Sequence, residues 1–189
     1  MAAVCTTPPD VLAVSLADAR EKIRASADDG LDGQLTLSLQ GLIAETEHAT
    51  GHCFMEQAWR VTLDEFPRAC GADEPIIRLP HPVLAVQSVK YFDPAGVERT
   101  LVGSAYEIVQ ERYRTFLAPV PGTTWPAAMA RPRAVTITCT AGYGNEPGKT
   151  PAPARQYILA RLELEYCPPM HAPTLEQLAG ILAPLTVYG

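Results

Sequence analysis

His48 and His52 stand four residues apart, with Cys53 beside the second. Two histidines one helical turn apart can share a metal ion. The residues between them, Ala49-Thr50-Gly51, do not give the H-E-x-x-H form of a zinc-protease helix, and Gly51 marks a helix end between the two rings. No third ligand is indicated by spacing. A histidine at a helix C-terminus has a plainer use, a favourable interaction with the helix dipole. Cys53, His52 and Asp64 supply the residue types of a thiol hydrolase, but nothing local sets a base against the sulfur or builds an oxyanion hole. A buried, inert cysteine accounts for Cys53 better. Glu45 and Glu47 diverge around a helix and read as solvated charges rather than an acid–base pair. Gly142-Tyr143-Gly144 is too short for a dinucleotide fingerprint, and Gly148-Lys149-Thr150 lacks the upstream glycine of a P-loop. Turn glycines at positive φ explain both. Trp125-Pro126 reads as a plug closing the end of a small core. No catalytic, cofactor-binding or metal-binding residue is assigned, and the chain is read as a non-enzyme.

The elements that hold these residues change period twice. Residues 1–14 read as a loose leader. Ser15-Leu16-Ala17-Asp18 has the form of a capping box, and Leu16, Ala19, Ile23 and Ala27 follow at helical spacing, so a first helix is expected over 16–27, ended by Asp28-Asp29-Gly30. Asp32 is a candidate N-cap for a second helix over 32–50, whose stripe is Leu35, Leu39, Leu42, Ile43 and Thr46 and whose stop is Gly51. From Trp59 the period falls to two. Strands are expected at Trp59–Leu63, Ile76–Leu79, Val86–Phe92, Val97–Val102, Tyr106–Val109, Tyr113–Leu117 and around Val135, Ile137 and Cys139, with Asp93-Pro94-Ala95-Gly96 as a turn. Helices resume over 154–166, with Pro151 and Pro153 at its start, and over 175–183, with Thr174 and Gln177 forming a capping box. Pro184 is expected to stop the last one and to leave a tail over 184–189. The layout is α+β: a bundle of about four helices with a mostly antiparallel β-region inserted at 56–141, forming one domain over 15–183.

The 189 residues suffice for one well-filled core. The net charge of −6 argues against general binding to nucleic acid or anionic membranes, and Arg112, Arg114, Arg131 and Arg133 are the candidates for a local basic patch. Five cysteines without C-x-x-C spacing read as free thiols of a protein made in a cytoplasm. Neither a signal peptide nor an apolar run of membrane-spanning length is seen.

Two surface segments stand out once catalysis is set aside. The tail residues Leu185, Thr186, Val187 and Tyr188 are β-prone, and such a terminus can add a strand to a partner's sheet edge; the alternative is a frayed end or packing on its own domain. The hairpin tip carries Gln110, Glu111, Arg112 and Arg114.

Several blocks in shared order resemble the head–tail connector (adaptor) proteins of tailed bacteriophages and gene transfer agents. Leu31-Asp32 through Leu42-Ile43 to Thr50-Gly51 is similar to the long family helix ending in Thr-Gly. Gln57-Ala58-Trp59-Arg60 leading to Leu63-Asp64-Glu65-Phe66-Pro67 is similar to its first strand. Ile77-Arg78-Leu79-Pro80-His81-Pro82-Val83 and Val86-Gln87-Ser88-Val89-Lys90-Tyr91-Phe92-Asp93 resemble its most recognisable block, followed by the Gly96 turn, Tyr106, Trp125-Pro126 and Val135 to Gly144. The resemblance spans about residues 16–166. Many members finish on Pro-aromatic-Arg, whereas this chain has Pro184-Leu185-Thr186 and no basic residue after Arg161.

The resemblance implies a non-enzymatic virion protein made in the host cytoplasm, without a cofactor. Copies would form a ring, usually a dodecamer, beneath the portal protein and join it to stopper or tail-terminator proteins, with DNA passing transiently through the lumen. Apart from the resemblance, the β-prone tail is the candidate portal or partner contact, and the hairpin tip a candidate subunit or tail-side contact. The alternatives are another neck protein (a stopper or tail-completion protein) or a small thiol- or metal-dependent hydrolase.

Overall fold

A computed structural model describes residues 1–26, 29–68, 74–166 and 172–186. Ala27, Asp28, Cys70, Cys167, Pro168, Pro169, Val187, Tyr188 and Gly189, on which some sequence expectations fall, lie outside those residues. The fold is α+β and separates into two compact units: Met1–Pro8 with Glu56–Gly142, and Pro9–Met55 with Tyr143–Gly189.

The first unit is built of strands β1 (Ala2–Thr7), β2 (Gln57–Leu63), β3 (Ile77–Leu79), β4 (Val83–Phe92), β5 (Glu98–Thr100), β6 (Tyr106–Gln110), β7 (Thr115–Pro119) and β8 (Val135–Ala141). They form a five-stranded sheet in the order β1-β2-β8-β4-β5 and a three-stranded sheet in the order β3-β7-β6. Every pairing is antiparallel. The two-residue period read in β2 and β8 sets the register. Val61 pairs with Ile137 and Leu63 with Val135 on the core face, while Arg60 pairs with Thr138 and Thr62 with Thr136 on the other. Val61, Val89, Val135 and Ile137 are fully buried, and Phe66, Ile77 and Leu117 join the same cluster. On the opposite face hydroxyls bond across strands: Ser88 and Thr138 lie 2.6 Å apart, and the Gln87 amide donates to Thr140.

The N-terminal expectation is corrected. Residues 1–14 are not a loose leader, because β1 pairs along β2, with Ala3 opposite Val61 and Val4 opposite Arg60. Its side chains are almost all exposed, so there was no apolar period to read; the main-chain ladder makes the strand. Ala13 and Val14 are fully buried in the other unit.

The second unit contains helices α1 (Leu16–Ile23), α2 (Asp32–Thr50), α3 (Ala152–Tyr166) and α4 (Leu175–Ala179), then a 3₁₀ turn, Gly180–Leu185. Ser15 caps α1 by accepting from the Asp18 N–H at 3.1 Å. The helix stops at Arg24, four residues before the Asp-Asp-Gly signal. Arg24 takes a left-handed φ of 58°, and its N–H bonds back to the last turn. Asp32 is the first residue of α2, not its cap; its carboxylate is held by the Arg20 guanidinium, with Nε 2.9 Å away. Gly51, at φ 72°, ends α2 as expected. The core is Leu35, Leu39, Leu42 and Ile43 of α2 against Tyr157, Ile158 and Leu162 of α3, with Phe54 and Met55. Full burial of one such leucine contributes about 2 kcal/mol.

The C-terminal expectation also changes. Thr174 and Gln177 complete their capping box, but Pro184 lies inside the 3₁₀ turn, and Leu185 after it is part of that turn. Leu178, Leu182 and Leu185 keep helical spacing through the proline, and all three are buried.

Candidate functional site

The histidine–cysteine cluster is a packed helix exit. His52 is 2% exposed, its Nδ1 lies 2.7 Å from the Tyr143 hydroxyl, and the two rings stack with planes 5° apart. Cys53 is buried beside it, and His48 is exposed on α2. The Glu47 carboxylate accepts from the Phe54 N–H at 2.5 Å and so ties the chain leaving α2 back onto the helix. Glu45 binds both terminal nitrogens of Arg161 at 2.7 and 3.3 Å. Neither glutamate is a merely solvated charge. Asp64 belongs to the β unit, where its carboxylate accepts from the Arg133 N–H at 2.8 Å. Among the described residues no three His, Cys, Asp or Glu side chains cluster as a metal would need.

Gly142 and Gly144 have φ of 134° and 127°, a range that L side chains rarely adopt. A Cβ on Gly144 would also meet Lys149 Cδ at 2.9 Å. The loop is a turn packed under its own lysine. Trp125 stacks on Phe66, with centroids 5.1 Å apart, and its Nε1 donates to the Pro75 carbonyl at 2.6 Å. It thus closes one end of the β core, as its place in the sequence suggested, and lines a cavity of about 590 Å³ with Phe66, Pro67 and Pro126.

The β6–β7 hairpin presents Gln110, Glu111, Arg112 and Arg114, all exposed. The tip is pre-organised. The Glu111 N–H donates to the Arg114 carbonyl at 2.9 Å, Arg114 Nε meets the Glu111 carboxylate at 2.5 Å, and the Arg112 guanidinium lies 5.1 Å from the Tyr113 ring centre. At its base the buried His81 places Nδ1 2.8 Å from Thr115 Oγ1 and bonds the Arg112 main chain. Burial pushes the His81 pKa below its ordinary value, and the Arg112 bond offsets this in part. Sequence reasoning missed His81, which lies between two prolines that read only as a strand end.

The candidate tail contacts divide. Leu185 is packed in the helical core, and Thr186 is half-buried, its hydroxyl 3.5 Å from the Leu182 and Ala183 carbonyls. Val187 and Tyr188 lie outside the described residues. No described helix is long and apolar enough to cross a membrane.

This architecture is shared with chains of a solved viral-type particle. It aligns over 100% of its length with 97% of a chain in the virion of a native gene transfer agent particle, with a TM-score of 0.79 and 20% identity. It matches a chain in the neck of an empty gene transfer agent particle computed with C6 symmetry (TM-score 0.75, 22% identity). It also matches one in the neck of a native particle computed with C12 symmetry (TM-score 0.69, 19% identity). Both neck matches likewise cover 100% of this chain and 97% of the other. At these identities the common property is the fold. Neither a family model nor a curated protein matches the sequence.

Proposed function

We propose that this chain is a structural neck protein of a tailed particle: the adaptor whose copies form a ring beneath the portal and join it to stopper or tail proteins, with DNA passing through the lumen. The observation that carries this reading is end-to-end likeness to gene transfer agent virion and neck chains, with no large unmatched segment on either side. The symmetries of the two neck structures support a copy number of twelve. A ring of twelve satisfies both reported symmetries, because six-fold rotation is contained in twelve-fold, whereas a ring of six satisfies only the first. The ordered, exposed tip at Gln110–Arg114 suits a contact with a neighbour or with the tail-side layer. Tail contact with the portal falls to the residues after Thr186, since Leu185 is engaged in its own core. The protein acts by shape and is not an enzyme.

Mixing purified portal with purified chain, and weighing the complexes by mass photometry, tests the reading. It predicts twelve copies per portal ring. A mixture in which the chain stays separate from the portal contradicts it.

A further inference from the structure

A β-sheet edge is a row of unpaired N–H and C=O groups, and proteins usually protect such edges with short strands or charge. Among the described residues this chain has four edges, and they are not treated alike. β3 and β5 are three residues long and carry Arg78, Glu98 and Arg99. β1 is six residues long, Ala-Ala-Val-Cys-Thr-Thr, with no charge and no proline. Its Val4 is 59% exposed, so burial does little to hold the strand. β6 is five residues long, carries one charge, Glu107, and exposes 42% of Ile108. Only β1 and β6 are long enough, and similar enough in length, to pair with each other.

Their positions suit a ring. β1 and β5 are the two ends of the five-stranded sheet, four strand spacings of about 4.8 Å apart. Residues 101–105 connect β5 to β6, and the reach of five residues keeps the start of β6 near the end of β5. Neighbouring copies in a ring are not related by a two-fold axis, so β1 cannot pair with another β1; the mate must be a different edge. We propose that β1 of one copy pairs with β6 of the next, so that strand addition joins the β units around the ring. The proposal rests on the ring reading above and assigns it a specific interface.

Hydrogen exchange on the full chain, free and assembled into rings, tests it. Amides of Ala2–Thr7 and Tyr106–Gln110 should exchange at least tenfold more slowly in the ring, while those of β3 and β5 stay unchanged. A Val4→Glu variant places a carboxylate opposite Arg60 of its own sheet and charges the outer edge. It should keep the wild-type melting curve and lose at least tenfold in ring population. Rings whose β1 amides exchange as fast as in the free chain overturn the interface and leave the ring reading standing, as does Val4→Glu assembling like the wild type. A wild-type chain that never associates, alone or on portal, overturns both.

Discussion

The polar side chains of this protein that lie nearest to catalytic types do structural work. Glu45 binds Arg161 from 116 positions away, and Glu47 fixes the exit from α2. Neither partner can be seen in a helical period, which is why both glutamates read as solvated. Burial disfavours the protonated form of the His81 ring. Its folded pKa lies below the ordinary histidine value, so the unfolded chain binds more protons near that value. Stability is therefore unaffected well above pH 6.5 and falls as pH drops through about 6.5 toward the folded pKa. A His81→Gln variant should lose that part of the acid slope; melting temperatures from pH 8 to 5, wild type minus variant, give the check, and equal slopes refute it. Cys139 is 1% exposed, and burial pushes its thiol up to about 11. Iodoacetamide at pH 7.5 should leave Cys139 unmodified in the folded protein and label it after unfolding, as peptide mass spectrometry would record. Rapid native labelling of Cys139 would contradict the packed, inert thiol.

At the scale of elements, side-chain period was a good guide wherever one face is buried. α2, β8 and the shift of period at Trp59 were legible for that reason. The ends were not: α1 stops at Arg24 through a left-handed residue that any sequence rule would assign to glycine. β1 has no buried face and so no pattern. At the C-terminus Pro184 reads as a stop, but three buried leucines at helical spacing outweigh it. Leu178, Leu182 and Leu185 pack together through the 3₁₀ turn, so Leu185→Ala should cost about 2–4 kcal/mol in chemical denaturation. A cost under 0.5 kcal/mol would mean the turn is not packed. It follows that a tail deletion meant to probe docking must begin after Thr186, since one beginning after Pro184 removes a core residue. Gly144→Ala should destabilise by about 1–3 kcal/mol, because φ of 127° is strained for any residue with a Cβ whatever Lys149 does.

At the scale of the molecule, the α+β layout of helices, sheet and helices was legible, because periods of 3.6 and 2 occupy separate stretches. The strand order was not, since β2 and β8 pair across more than seventy residues and no local signal selects the mate. The division into two units was hidden for the same reason: the first eight residues join a sheet whose other strands begin at Gln57. The fold is shared end to end with neck chains, and the proposed role depends on where this protein sits in a particle. Electron cryomicroscopy of particles carrying a small fused tag on this chain tests that most directly. Twelve-fold tag density in the layer directly under the portal is the predicted result; tag density in the capsid shell, in the tail tube, or absent from the particle would contradict it.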